Sequence, residues 1–388
     1  MRVHIRRRGN RPAPSGAADL APASGAPGLL CRLPFTEISI DEAGDVYPNC
    51  CPDWVQFPMG NLHRQSFDEV WNGAPARALR QSMLDGDPRF CDEHWCPHLQ
   101  GAAGGAADPH VAPLDELDRL DLPPAARAGS TVMDEGPSNV SMNYDSSCNL
   151  ACPTCRQEIR MVSGPQAVEM GRLHQVVEDQ VLVGADTISM TGTGDPFASK
   201  FLRNFLIGLT PESHPKLRRV YLYTNAIMWT PSMWARMPGL HRLDVAADIS
   251  IDAATAATYE VVRRPARWDQ LMENLEFIST IPNLGQLGVN MTVSQANVDE
   301  VLAFYELACE LASRAPHRPM FVEFKRVRRW SAHSDADWAA IDLDRLPAAQ
   351  LASLRSQLHA LEAIRATPPS GAGQLELRSN LGDLLEQP

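Results

Sequence analysis

The feature that most constrains this chain is one cysteine run, Cys148-Asn149-Leu150-Ala151-Cys152-Pro153-Thr154-Cys155. Three thiols spaced Cys-x3-Cys-x2-Cys can converge on a single metal centre from one loop. The chain carries 9 cysteines in 388 residues, too few for a disulfide scaffold. Their number is odd and their spacing clustered, which points to metal or redox chemistry under reducing conditions. A structural zinc site wants four closed ligands, and no fourth Cys or His lies beside the run. Three ligands instead suit a 4Fe–4S cluster with one iron left open.

The flanking pattern places that run. Six strand candidates follow one another, starting at Val140–Tyr144: Thr187–Met190, Val220–Tyr223, Val245–Ile251, Leu287–Val293 and Met320–Val327 come after it. Helical periodicity fills the gaps, as in Phe197, Phe201, Phe205 and Leu209, and in Val298, Val301, Leu302 and Tyr305 after the cap-like Asn297. Alternating β and α units predict an α/β fold with a parallel sheet. Periodicity alone leaves an open sheet and a partial barrel both available. The cysteine run directly follows the first strand.

Here the sequence resembles the radical SAM superfamily. The resemblance spans residues 138 to about 330 and implies a partial (β/α)6 TIM-like barrel. It implies that Cys148, Cys152 and Cys155 hold the catalytic 4Fe–4S cluster. The open iron would chelate S-adenosylmethionine (SAM), and reductive cleavage would yield a 5′-deoxyadenosyl radical that takes a substrate hydrogen. Thr154 departs from the aromatic residue common before the third cysteine. Thr191-Gly192-Thr193-Gly194-Asp195-Pro196 looks like the family's Gly-Gly-Glu motif, with Asp195 for Glu and Gly194 exposing backbone to the methionyl ammonium. Asn225, Ser250 and Asp252 end strands where relatives contact SAM, and Arg263 could pair with the SAM carboxylate. Asn290 and Asn297 sit on and just after the fifth strand. Each of these polar residues can equally serve as a cap or a surface group.

Five further cysteines fill an N-terminal block: Cys31, Cys50, Cys51, Cys91 and Cys96. Phe35 to Ile40 alternates like a strand, Asp41 to Gly44 supplies a turn, and Val46-Tyr47 completes a hairpin. Ser66 with Glu69 reads as a capped helix start. The block resembles the twitch, or half-SPASM, module that carries an auxiliary 4Fe–4S cluster, here placed before the radical domain instead of after it. The resemblance implies Cys31, Cys50, Cys91 and Cys96 as ligands, with Cys51 competing with Cys50. A tetrahedral zinc site fits this spacing as well. His94 and His98 flank the site without being expected as ligands, and Cys309 reads as a small buried hydrophobe.

The expected organisation is a basic, Pro/Gly-rich disordered tail at 1–30, a small α+β cluster domain at 31–98, a linker at 99–136, the barrel at 137–332 and a helical extension at 333–388, broken by Pro368 to Gly371. A net charge of −12 argues against nucleic acid as a partner. No apolar run is long enough to span a membrane, and no apolar signal core follows the N-terminal arginines, so a cytoplasmic protein is expected. The resemblance implies a flavodoxin or ferredoxin as electron donor. It implies oxidation or epimerisation of a small-molecule or peptide substrate. The short N-terminus, with no leader-binding domain, favours a sugar-containing natural product or glycan precursor over peptide maturation. Lys325 to Trp330 could hold a substrate phosphate or carboxylate. The reading from another class is a non-catalytic zinc protein.

Overall fold

A computed structural model of the protein describes residues 28–49, 51–94, 96–103, 107–315, 318–330, 332–366 and 375–386. The tail expected at 1–30 lies outside these up to residue 27, but Leu29 and Leu30 are buried in a strand. The chain forms two compact units. The first holds residues up to Tyr144, with Gly164–Ser189 and His214–Leu217; the second holds Asp145–Ser163, Met190–Ser213 and Arg218–Pro388.

In the first unit the strands are β1 (Leu29–Cys31), β2 (Glu37–Ile40), β3 (Asp45–Pro48), β4 (Gly60–Asn61), β5 (Val111–Pro113), β6 (Asn139–Met142) and β7 (Thr187–Met190), of which the last residue passes to the second unit. β1 pairs antiparallel with β5, opposing Cys31 to Val111. The others lie in the order β7–β6–β2–β3–β4. The strand predicted from Phe35 begins only at Glu37, because Leu33–Thr36 form one helical turn. All four β2 residues are buried. The polar ones are satisfied in place: Glu37 accepts from Arg32 at 2.8 Å, Asn49 at 2.9 Å and Asn139 at 3.0 Å. The predicted turn forms on Asp41, whose carboxylate accepts from the amides of Ala43 and Asp45, with Gly44 at φ +76°. The predicted hairpin β2–β3 follows. Ser66 and Glu69 make a reciprocal capping box at the start of helix Phe67–Trp71.

Two expectations fail in this unit. The linker at 99–136 is packed structure: it contributes β5, and Leu99, Val111, Ala112, Leu120 and Leu122 are buried. Its Ala/Gly/Pro composition masked those isolated apolar anchors. Nor did the alternation show that β2 runs parallel to β6, with Ile38 opposite Val140. That pairing joins residues about a hundred positions apart, which no local pattern reports.

The second unit carries β8 (Arg219–Thr224), β9 (Asp244–Ser250), β10 (Leu284–Val293), β11 (Met320–Arg326) and β12 (Leu375–Ser379). Every neighbouring pair is parallel, as the βα pattern predicts. One face is wholly apolar: Leu222, Ile249, Val289, Met291, Val322 and Phe324 are all fully buried. Burial of each such side chain stabilises the unit by roughly 1.5–3 kcal/mol. Helices Trp268–Ser279 and Val301–Arg314 bury Leu271, Leu275 and Ile278, and Phe304, Ala308 and Leu311. The opposite face is polar. Register sets Tyr223 beside Asp248, and Ser250, Asn290 and Glu323 in one row.

Three details differ from expectation. The helix read through Phe197 to Leu209 spans only Lys200–Gly208, because Ser199 caps it by accepting from the Leu202 amide. Asn297 does not cap a helix with its side chain; it accepts from the Ser294 amide and donates to the carbonyls of Asp252 and Thr292. The extension after 333 is not purely helical, since Leu375–Ser379 adds a parallel strand beside β11. The predicted break at Pro368 to Gly371 lies outside the described residues. Among the described residues no helix is long and apolar enough to cross a membrane.

Candidate metal centre

The run Cys148–Cys155 sits on a loop of the second unit, tied down at several points. Cys148 donates its amide to the Arg160 carbonyl at 2.8 Å. Ala151 and Arg264 exchange bonds: the Ala151 amide donates to the Arg264 carbonyl (2.8 Å), and Arg264 Nε donates to the Ala151 carbonyl (3.0 Å). Cys155 and Arg156 both donate their amides to the Cys152 carbonyl, folding the last two cysteines into a tight turn. His333 Nε2 meets the Pro153 carbonyl at 3.0 Å.

The glycine-rich turn after β7 packs directly on the start of this loop. A Cβ on Gly194 would lie 2.4 Å from the Asp145 carbonyl oxygen and 2.6 Å from that of Ser147. Only glycine permits that approach. Thr191, at φ +40°, turns its hydroxyl to accept from the amides of Thr193 and Gly194. Gly192 faces open space. Asp195 donates its amide to the Ser147 carbonyl at 2.8 Å. Its buried carboxylate accepts from the amides of Phe197, Ala198 and Asn225 and from the Thr224 hydroxyl. Asp195 therefore looks inward, as a brace joining the ends of two strands, with its oxygens occupied by the chain itself.

Other sequence-selected residues gather at the cysteines. Asn225 Nδ2 donates to Asn149 Oδ1 at 2.9 Å and reaches Cys148 Sγ at 3.8 Å. Arg263 places Nη2 2.7 Å from Asp252 Oδ2 and Nη1 3.7 Å from Cys152 Sγ. Asp252, at φ +63°, is wholly buried, and its other oxygen accepts from the Thr292 amide. Arg263 Nε and the Tyr259 hydroxyl are buried in this cluster without hydrogen-bond partners. Ser250 stands apart, accepting from Asn290. Sequence reasoning missed Arg156, Arg264 and Tyr259. Arg156 and Arg264 were findable as the direct neighbours of Cys155 and Arg263, whereas Tyr259 carried no signal beyond its place on the Arg263 helix.

Burial pushes the Cys148 thiol up to about 12. Cys152 is also raised by burial, against the pull of the Arg263 charge. Such thiols stay protonated until a bound cation favours the thiolate. Among the described residues, no three Cys, His, Asp or Glu side chains already close on one metal position. The donor set nonetheless fits an iron–sulfur cluster: three thiols share one loop, each is a soft ligand, and buried donor groups surround them.

In the first unit, burial and then the neighbouring Cys96 push Cys91 up to about 12. Cys91 bridges to Val55, and Cys31 ends β1. Cys51 Sγ lies 3.2 Å from the Asn49 carbonyl. Cys50, the favoured ligand of the pair, lies outside the described residues. His98 Nδ1 lies 2.9 Å from Asp108 Oδ2. Most of the basic run at 325–330 is paired within the chain. Lys325 pairs with Glu323 (2.8 Å) and Asp248 (3.4 Å), Arg326 with Asp344 and Asp383, and Arg329 with Asp335. These acids occupy three of the four cations of the expected phosphate or carboxylate grip, and the fourth, Arg328, is exposed.

The chain is similar to several known proteins. The SPASM family, described as an iron–sulfur cluster-binding domain, matches residues 31–97. An AdoMet-dependent heme synthase of Methanosarcina barkeri is 25% identical over 212 residues, covering 54% of this chain and 58% of that protein. One from Nitratidesulfovibrio vulgaris is 26% identical over 199 residues, covering 50% and 51%. The chain thus spans little more than half the length of these curated relatives. SuiB of Streptococcus suis has a similar structure at TM-score 0.41 and 14% identity, covering 79% of this chain and 64% of SuiB. The Cys-x3-Cys-x2-Cys loop after a strand, the similarity to AdoMet-dependent relatives and the SPASM match over 31–97 together support a radical SAM protein with a SPASM-type domain.

Proposed function

We propose that the protein is a radical SAM oxidoreductase or epimerase with two 4Fe–4S clusters. The repeated βα units would form the partial (β/α)6 barrel that the resemblance implies. The observation that carries the reading is the Cys148–Cys155 loop braced against the Gly194–Asp195 turn, with Asn225 and Arg263 aimed at its sulfurs. Cys148, Cys152 and Cys155 would hold one cluster. Cys31, Cys91 and Cys96 with Cys50 would hold the other. When bound, the first supplies the electron that cleaves SAM and generates the hydrogen-abstracting 5′-deoxyadenosyl radical.

The residues of the chain do the rest. Gly192, Gly194, Asn225, Ser250 and Asp252 offer backbone and side-chain groups around the loop for SAM. Arg263, fixed by Asp252, presents its guanidinium beside Cys152. Asp195 holds the two strand ends in register instead of touching SAM. Cys152 is buried and Cys148 half-buried, while Cys155 is exposed, so one side of the loop is open to solvent. A flavodoxin or ferredoxin would supply electrons, in a cytoplasmic setting.

The polar sheet face supports a polar substrate. The exposed Tyr223 on this face offers a hydroxyl suited to a sugar-containing molecule, beside the Asp248, Asn290, Glu323 and Lys325 network. A second reading, a tetrapyrrole substrate, rests on the name of the heme synthase relatives. Iron and sulfide analysis tests the assignment. Anaerobically reconstituted protein should hold about eight irons, falling to about four in Cys148→Ala/Cys152→Ala/Cys155→Ala. A colourless protein binding zinc in both forms contradicts it and supports the zinc reading.

A further inference from the structure

Two sulfurs of the Cys148–Cys155 loop have a side-chain N–H donor of their own, and an arginine directly follows the third. Asn225, just after β8, reaches Cys148 at 3.8 Å. Arg263, at the end of helix Ala256–Val262, reaches Cys152 at 3.7 Å. Arg156 is the chain neighbour of Cys155 and interacts with it electrostatically. The two arginines differ in how they are held. Arg263 is wedged against Asp252 at 2.7 Å, so a carboxylate partly offsets its charge. Arg156 is clamped only by carbonyl oxygens, donating to Ser146 at 2.7 Å and to Thr193. Its positive charge is therefore not cancelled by an acid it bonds, and it also stitches the cysteine loop to the glycine-rich turn.

The potential of an iron–sulfur cluster rises with hydrogen bonds to its sulfurs and with nearby positive charge, since the reduced form is the more negative one. We infer that Arg156 is a tuning residue: it is clamped to the Ser146 and Thr193 carbonyls next to Cys155, and its charge raises the reduction potential of the cluster on this loop, with Arg263 making a smaller contribution at Cys152. The inference rests on the proposed assignment of these cysteines to a cluster. The couple takes up one electron from its donor, and no bond or proton need move.

The test is a mediated dithionite titration of the full, reconstituted chain, followed by EPR, with the auxiliary cluster as internal reference. In Arg156→Met, with iron content retained, the ratio of reduced to oxidised radical-site cluster at a fixed solution potential should fall about tenfold, or ~59 mV for a one-electron couple. Arg156→Lys should recover most of the loss. Arg263→Met made together with Asp252→Asn, which leaves no buried acid unpaired, should shift the same signal in the same direction by less. If Arg156→Met loads iron poorly, Arg156→Gln, which keeps a donor but no charge, should still titrate below wild type. An unmoved midpoint in whichever of Arg156→Met and Arg156→Gln is loaded overturns the inference. A wild-type chain whose EPR signal survives Cys148→Ala/Cys152→Ala/Cys155→Ala unchanged overturns the underlying assignment instead, so the two failures are distinguishable.

Discussion

Gly194 carries more of the site than its size suggests. The carbonyls of Asp145 and Ser147 lie where its Cβ would be, so a methyl there must push the cysteine loop away from the turn. Gly194→Ala should destabilise the protein by about 1–3 kcal/mol, as overpacking does, and should lower iron retention. Denaturant unfolding and iron analysis read the two effects, and wild-type values in both contradict the packing argument. His333 offers a different kind of test. Its Nδ1 accepts from the Trp330 amide and its Nε2 meets the Pro153 carbonyl, an arrangement that needs the neutral ring. Burial lowers its pKa below the usual 6.5. A depressed folded pKa means its stabilisation is complete above the unfolded value and is lost as pH falls through about 6.5 and below. Stability should drop between about pH 7.5 and 5.5, and drop less in His333→Gln, which keeps a donor and an acceptor. Equal drops in both proteins would remove His333 from the account.

At the scale of elements, the capping box at Ser66 is the cleanest local device. Its helix has only five residues, Phe67–Trp71, and buries Val70 and Trp71 against the first unit. Ser66→Ala should cost about 1 kcal/mol, read as a lowered unfolding midpoint without loss of activity; no change would mean that tertiary packing alone holds the turn. That box was legible in the sequence, because Ser and Glu three apart before an apolar run have one local explanation. The strands from Thr187 to Arg326 were legible for the same reason. Short β-branched runs bounded by turn residues matched the observed bounds to within three residues. What stayed hidden was non-local. The parallel pairing of β2 with β6 and of β12 with β11 depends on partners far along the chain. The helix start at Ser199 was hidden by Phe197, whose burial comes from the loop and not from a helical stripe.

At the scale of the whole chain, the site was half legible. Cysteine spacing marked the loop proposed to hold the cluster, and the glycines around Gly194 marked where a turn packs closely on that loop. The inward-facing carboxylate of Asp195 and the ion pairs of Lys325, Arg326 and Arg329 were not announced, since a sequence shows a charge but not its partner. The most direct test of the central claim is SAM cleavage. Anaerobic protein, reduced with dithionite and given SAM, should release 5′-deoxyadenosine, and Cys148→Ala/Cys152→Ala/Cys155→Ala should release none. Equal 5′-deoxyadenosine from the two proteins would contradict the assignment of these three cysteines.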